Sequence, residues 1–164
     1  MPLTPAERDE RIRRYEAGPM KLKAALARVP PEALKWRPAQ NRWSAHEVVC
    51  HCGDAETNAA LRLRYLVAEE KPVIVGYDQA RWARTLDYHS APLEPALATV
   101  EAVRATTTAL LRRLPEDAWS AVGTHSESGR YTTEDWLNIY ADHLEKHSGQ
   151  IDRNVAAWKE AQKR

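Results

Sequence analysis

The sequence lacks the features that mark several large classes of protein. Its 164 residues include no phenylalanine, six glycines and two cysteines, Cys50 and Cys52, which are too close in sequence for a disulfide framework. No apolar run approaches the roughly 18 residues of a membrane span. The N-terminal segment MPLTPAERDERIRRYE is too charged for a signal peptide. We therefore expect a soluble, cytoplasmic protein that does not associate with a membrane.

The sequence also lacks a charge excess of either sign. The formal net charge is +1, and basic residues alternate with acidic ones along the chain. This pattern is typical of solvated helix faces and does not suggest a nucleic-acid surface or a polybasic membrane patch. Hydrophobic residues make up 43% and charged residues 29%, as in ordinary globular proteins. We expect one domain over 1–164, large enough to fold without a structural metal, so that a metal would serve function.

Apolar residues recur with a helical period in four long segments, most of them ended by proline or glycine. The pattern predicts helices over 5–28, 45–70, 92–114 and 133–161. No run alternates long enough to predict a sheet, and PVIV at 72–75 is too short to make one. The sequence therefore predicts an all-α four-helix bundle. The long connection at 71–91, with a short helix of its own, can cross the bundle and lets the second and third helices run parallel.

Two of the predicted helices begin with a recognisable cap. Ser44 and Glu47 fit the capping box S-x-x-E, in which each side chain satisfies a free amide of the first turn. Thr132 and Asp135 form a weaker box at the start of the last helix. Each cap precedes a helix that carries histidine on its apolar face, so the caps fix the level at which those histidines lie.

His143 and His147 lie one turn apart on the last predicted helix and point the same way. Two neutral imidazoles at this spacing can share a metal ion. The alternative is a pair of polar residues on a solvated or half-buried face. Trp136 and Ile151 continue the same stripe, which favours an inward pair. His51 is the one strong ligand on the inward stripe of the second helix and is the candidate third ligand; the alternative is a lone core histidine bonded to a neighbour.

Other metal and redox motifs do not fit this sequence. In an H-E-x-x-H protease the glutamate follows the first histidine directly, whereas Leu144 holds that place and Glu145 falls about 200° around the helix. Cys50-His51-Cys52 is neither C-x-x-C nor paired with a second cysteine cluster. We expect Cys52 to fill core space. The remaining histidines are interpreted as structural or surface residues: His46, His89 and His125.

Taken together, WSAHEVVCHCGDAE and the later ADHLEKHSGQI resemble the DinB/YfiT-like superfamily, whose members are described as candidate metal-dependent hydrolases. The resemblance extends to the LKWRP turn, the YDQARWARTLDYH connection and the LPEDAW…GRYTTEDW approach to the last helix. It implies a four-helix bundle with a long crossover and, in many members, a homodimer. It also implies a divalent ion, such as zinc or nickel, on one histidine of the second helix and an H-x3-H pair of the last. The matching residues are His51, His143 and His147.

Some members of that superfamily use a low-molecular-weight thiol such as bacillithiol or mycothiol. The resemblance therefore implies a metal-dependent enzyme, either a hydrolase or a thiol S-transferase, that acts on a small molecule. Asp54 is a candidate catalytic residue that could orient a ligand or handle a proton, although a solvated helix carboxylate is an equally good interpretation. Gln150 is a candidate for hydrogen bonding behind the metal. Two alternatives stay open: a non-catalytic protein that binds a metal or small ligand under stress, and a helical interaction protein with incidental buried histidines.

Overall fold

Four long stretches of helix form the frame of the protein. The computed structural model describes residues 2–163, in which helices are α1 (Pro5–Leu26), α2 (Ala45–Ala68), α3 (Gln79–Thr85), α4 (Leu93–Leu111), α5 (Thr133–Tyr140) and α6 (His143–Ala161). Helix α1 packs against α6, and α2 packs against α4. Contacts of α1 with α4 and of α2 with α6 close the ring of four. The predicted four-helix bundle is confirmed.

Helices α2 and α4 run in the same direction. The hydrogen bond from Arg64 to Thr107 lies further along both helices than the ion pair between Glu56 and Arg104. At the start of both helices, His46 in the first turn of α2 contacts the carbonyl of Ala91, two residues before α4 begins. Partners on both helices thus advance together, which requires a parallel pair. The long connection makes this possible because it returns the chain to the end of the bundle where α2 began, as the sequence predicted. That connection also contains the expected short helix, α3.

The sequence-based prediction that the chain has no sheet is wrong in one place. Three short strands, β1 (Val73–Ile74), β2 (Val122–His125) and β3 (Gly129–Thr132), form a small sheet. Strand β1 pairs with β2 in parallel, and β2 pairs with β3 as a hairpin. Strands of two to four residues are too short for an alternating pattern to stand out from the background. The sheet ties the crossover to the connection before α5 and leaves the helical class of the fold unchanged.

The last helix, predicted as continuous over 133–161, is broken in the structure. Helix α5 ends at Tyr140, and α6 begins at His143 after Asp142, which has φ −110° and ψ 5°. At the break, the carbonyl of Tyr140 accepts a hydrogen bond of 3.1 Å from the buried guanidinium of Arg104. This bond satisfies a carbonyl that an interrupted helix leaves without a regular partner. The break sets the direction in which His143 points.

The capping boxes at the starts of α2 and α5 are confirmed. Ser44 accepts from the amide of Glu47, whose carboxylate accepts from the Ser44 amide in return. Thr132 and Asp135 make the same reciprocal pair. A cap of this kind typically stabilises a helix by about 0.5–2 kcal/mol. Helix α2, which carries His51, and helix α5, which precedes the histidines of α6, therefore begin at fixed residues.

Two apolar clusters fill the bundle at different levels along its axis. One gathers around the fully buried Trp136, whose indole N–H donates to the carbonyl of Ala59 at 2.7 Å. The other contains Val48, Cys52 and Leu144, all of which are fully buried. The histidine-bearing segments of α2 and α6 lie at the level of the second cluster, because Val48 and Cys52 flank His51 in the sequence and Leu144 and Ile151 flank His147.

Candidate metal centre

The structure brings His51, His143 and His147 together at the centre of the bundle. Their ring centroids are 4.6 Å apart for His143 and His147, 4.8 Å for His51 and His147, and 5.8 Å for His51 and His143. One nitrogen from each ring falls within 4.8 Å of the other two. Nitrogens that share a zinc ion lie about 2.0–2.1 Å from it and hence at most about 4.2 Å apart, so the rings would have to move slightly closer together to hold a common ion. His143 and His147 are half-buried, as one form of the alternative interpretation had it, but they lie beside His51 and do not form a separate pair.

A buried carboxylate holds His143 from behind. Glu56 on α2 is fully buried, and its Oε1 lies 3.0 Å from His143 Nδ1. Burial favours the neutral acid, but the charge of Arg104 and hydrogen bonds from His143 and Arg104 lower the Glu56 pKa below its usual value. An ionised carboxylate only accepts hydrogen bonds, so the Nδ1–H of His143 donates to it. The other nitrogen, Nε2, is left for a ligand.

Arg104 in turn holds Glu56. Its Nε and Nη2 each donate to one carboxylate oxygen at 2.6 Å, a bidentate ion pair in which both side chains are at most 1% exposed. The remaining donors reach the carbonyls of Tyr15 at 2.6 Å and Tyr140 at 3.1 Å. Such a chain of partners fixes the ring orientation of a metal-binding histidine and raises its basicity.

Gln150 plays the corresponding role for His147. Its Oε1 lies 2.9 Å from His147 Nδ1, which confirms the hydrogen bond expected from the three-residue spacing. Burial first, and the neighbouring His143 second, lower the pKa of His147 to about 4. The imidazole is therefore neutral at pH 7. With Nδ1–H donated to Gln150, Nε2 is the free lone pair.

His51 is the most buried ring of the three. Burial, followed by the charges of His147 and His143, lowers its pKa to about 3. Its Nδ1 is buried and has no hydrogen-bond partner in residues 2–163, and the ring of Trp43 lies 4.7 Å away. An unsatisfied buried polar atom costs about 1–3 kcal/mol. Three converging imidazoles, one with an unpartnered nitrogen, are a donor set that fits a divalent transition ion.

Asp54 lies near this cluster but is not part of it. The carboxylate is half-buried, and its Oδ2 accepts a hydrogen bond of 2.6 Å from the hydroxyl of Tyr88. Tyr88 follows α3 and is buried, so the bond fastens the crossover to α2. The role of Asp54 in orienting a ligand or moving a proton stays a prediction.

The side chains that were set aside from the sequence lie outside the site. Glu145 is exposed and pairs with Lys21 at 2.8 Å, which confirms that it takes no part in an H-E-x-x-H arrangement. Cys52 is fully buried, and burial raises the pKa of its thiol well above the usual value. Burial raises the pKa of the Cys50 thiol to about 11. Neither thiol is ionised at neutral pH, so neither resembles a thiolate ligand.

Glu56 and Arg104 are the functional side chains that sequence analysis missed. Glu56 is five residues after His51 and points to a different side of α2, toward α4 and α6. The available signal was weak: Arg104 lies in the stretch LATVEAVRATTTALL of α4, in which Glu101 is the one other charged residue. A charge on the apolar face of such a helix predicts a buried partner, since an unpaired buried charge is costly. Nothing in the sequence says which carboxylate provides it.

The fold and the site together define a class: a four-helix bundle with a parallel helix pair and a cluster of three histidines that could hold a metal ion. The family model for the DinB superfamily matches residues 14–151. The chain therefore belongs to the DinB superfamily.

Relatives of known sequence and structure agree with this assignment. A candidate metal-dependent hydrolase of Oceanobacillus iheyensis is 32% identical over 143 residues, covering 87% of this chain and 83% of the relative. YfiT of Bacillus subtilis, also named as a candidate metal-dependent hydrolase, is 28% identical over 146 residues, covering 88% and 82% of the two chains. The solved structure of YfiT, described as having an unusual four-helix bundle topology, superposes with a TM-score of 0.88 at 26% identity, covering 96% of this chain and 90% of YfiT.

No helix within residues 2–163 combines the length and apolar character that crossing a membrane requires.

Proposed function

We propose that this protein is a metal-dependent enzyme in which His51, His143 and His147 bind one divalent ion, zinc or nickel. The observation that carries the proposal is the convergence of three imidazoles, two of which have Nδ1 engaged by Glu56 or Gln150. Three protein ligands leave a coordination position open, as in catalytic rather than structural sites. The names of the relatives support metal-dependent hydrolysis.

A divalent ion at this position supplies Lewis acidity, which lowers the pKa of a coordinated water or thiol and so provides a nucleophile near neutral pH. The protein's own contribution is to orient the imidazoles. Glu56 and Gln150 engage the Nδ1 atoms of His143 and His147, which leaves their Nε2 atoms for the ion. The reaction is hydrolysis of a small molecule or transfer to a low-molecular-weight thiol, the two reactions that the resemblance implies.

Metal analysis of tag-free protein tests the site. We expect about one zinc or nickel ion per chain after loading, lost in both His51→Ala and His147→Ala. His125→Ala is the matched control, because His125 lies on β2 beside Tyr131 and outside the cluster; it should retain the ion. Wild-type protein that binds neither ion under any loading condition would contradict the proposal.

Two parallel screens then test the chemistry. Ester and amide substrates report hydrolysis, and electrophiles offered with a panel of small thiols report transfer. Turnover must disappear in His147→Ala and persist in His125→Ala for the metal site to be responsible. Metal binding without turnover in either screen would instead support the non-catalytic binding protein. We further propose a cytoplasmic homodimer, and sedimentation equilibrium tests the dimer directly.

A further inference from the structure

Arg62 on α2 is a half-buried cation with no carboxylate partner in residues 2–163. Its Nη1 donates to the hydroxyl of Tyr140 at 3.2 Å, and its Nη2 donates to the carbonyl of Val75 at 2.6 Å. Its Nε is buried and has no hydrogen-bond partner in the same residues. By contrast, the two most buried arginines are both matched by carboxylates: Arg8 by Glu116 and Glu134, and Arg104 by Glu56.

Arg62 lies on the side of the bundle that carries the histidines. It follows His51 by 11 residues, about three helical turns, and therefore projects from the same face of α2. Side chains on a helix tilt toward its N-terminus, so the guanidinium leans back toward His51. Tyr140, which accepts its hydrogen bond, has its ring centroid 5.6 Å from that of His143. Tyr140 therefore lies between the Arg62 guanidinium and the ring of His143.

The connection between α2 and α4, which crosses the bundle, lies on the other side of Arg62. The ring of Tyr77 lies 5.7 Å from the Arg62 guanidinium carbon and stacks on Trp82 at 4.3 Å. Arg62 is thus held by α2, by Tyr140 at the end of α5, and by the crossover. A planar guanidinium in a fixed orientation, whose Nη1 and Nη2 each keep a second N–H, is suited to bidentate binding of a carboxylate. The Tyr140 hydroxyl, which accepts from Arg62, keeps its own hydrogen to donate to the same group.

We propose that Arg62, assisted by Tyr140, binds an anionic group of the substrate or thiol co-substrate, a carboxylate, while the reacting end of that molecule occupies the three-histidine site. This inference rests on the proposed function and narrows it to ligands that carry a nucleophile or scissile bond at one end and a carboxylate several bonds away. A neutral ligand of the same length would leave the guanidinium without its anion.

Cobalt-loaded protein offers a direct test, because a thiol that binds the ion as thiolate produces a charge-transfer absorption band. The probes are mercaptohexanoate and mercaptopropionate, each compared with the neutral mercaptoalcohol of equal length. Of the two carboxylate probes, one should fit the distance between Arg62 and the ion better. In wild-type protein we expect that probe to bind about 10–100-fold more tightly than the mercaptoalcohol of equal length, the range that hydrogen bonds to a charged group support. Mercaptopropanesulfonate tests the nature of the anion, and tighter binding than mercaptopropionate would overturn the carboxylate assignment.

Three variants assign the preference to Arg62. Arg62→Met should remove the carboxylate preference while changing the affinity for the neutral thiol less than twofold. Arg62→Lys keeps the charge but loses the planar fork, so it should retain part of the preference. Arg64→Met is the matched control, because Arg64 is half-buried on the same helix but contacts Ala60 and Thr107 instead; it should keep the full preference. A purely structural arginine would alter both affinities together.

The outcomes separate this inference from the proposed function. Absence of cobalt binding would contradict the metal site itself. Cobalt and thiol binding with equal affinity for charged and neutral probes would overturn only the role of Arg62. If cobalt binds and no thiol band appears, calorimetry with adipate against hexanediol measures the preference without the thiol, and equal binding in wild type and Arg62→Met would overturn it.

Discussion

The buried pair of Glu56 and Arg104 should control both the stability of the bundle and its affinity for metal. Glu56→Gln keeps the shape of the side chain but removes its charge. Arg104 then remains as an uncompensated cation, 1% exposed. Removing one partner of a buried ion pair typically costs about 3–5 kcal/mol. We expect a loss of that order in the free energy of unfolding of the metal-free protein, measured by urea denaturation.

The same substitution should weaken metal binding for a separate reason. A glutamine oxygen is a weaker acceptor than a carboxylate, so the Nδ1–H of His143 is held less firmly and the ring is less basic. Loss of a partner behind a metal ligand typically lowers affinity about 10–100-fold. Competition with a chelating dye measures this change. Glu16→Gln is the control, because Glu16 pairs with Arg112 on the surface with both side chains about half exposed, and such pairs contribute about 0–1 kcal/mol.

A double variant separates the two effects. Replacing Glu56 and Arg104 together by methionine removes both charges and fills a similar volume, an exchange that is often neutral or stabilising. We expect stability above that of Glu56→Gln but below that of wild type, because the carbonyls of Tyr15 and Tyr140 lose the donors of Arg104. Metal affinity should be as low as in Glu56→Gln, since His143 still lacks its acceptor. If the double variant recovered wild-type metal affinity, or if Glu56→Gln bound metal as tightly as wild type, the assigned role of Glu56 would be refuted.

Three further changes test other parts of the structure. Gln150→Ala should lower metal affinity about 10-fold, less than His147→Ala, because the ligand remains but loses its orienting acceptor; equal metal affinity in wild type and Gln150→Ala would contradict this. Gly18→Ala should destabilise the fold by about 1–3 kcal/mol, because an added Cβ would lie 3.0 Å from α6. Tyr88→Phe should cost about 0.5–1.5 kcal/mol by removing the hydrogen bond to Asp54 that fastens the crossover. Urea denaturation checks both stability predictions, and unchanged midpoints would contradict them.

The predictable part of the site was the part encoded within single helices. The four-residue step from His143 to His147 and the cap at Ser44 are local patterns whose geometry follows from the helical repeat. The third histidine could be chosen because His51 was the one strong ligand on an inward stripe. The distance from His51 to His143 and His147 could not be predicted this way. The periodicity of a helix specifies the face and the turn on which a residue lies, but not which helix packs against it.

The parts that could not be predicted depend on contacts between helices. The periodic pattern runs without interruption across Asp142, so the sequence predicted one helix where the structure has two. The three strands are each too short to display alternation, and their pairing joins segments about 50 residues apart, such as Val73 with Thr124. The role of Glu56 could not be predicted either, because it depends on Arg104, which lies on another helix.

Arg104 links these separate features. Pro19 has no N–H, and the carbonyl four residues before it, that of Tyr15, therefore lacks its helical donor; Arg104 Nη1 donates to that carbonyl at 2.6 Å. The break after α5 frees the carbonyl of Tyr140, and Arg104 Nη2 donates there as well. The proline and the helix break each leave one carbonyl without a helical donor. These two carbonyls accept the hydrogen bonds of Arg104 that Glu56 does not use. Because this guanidinium joins α1, α2, α4 and α5 beside His143, the geometry of the metal centre and the packing of the bundle depend on the same hydrogen bonds.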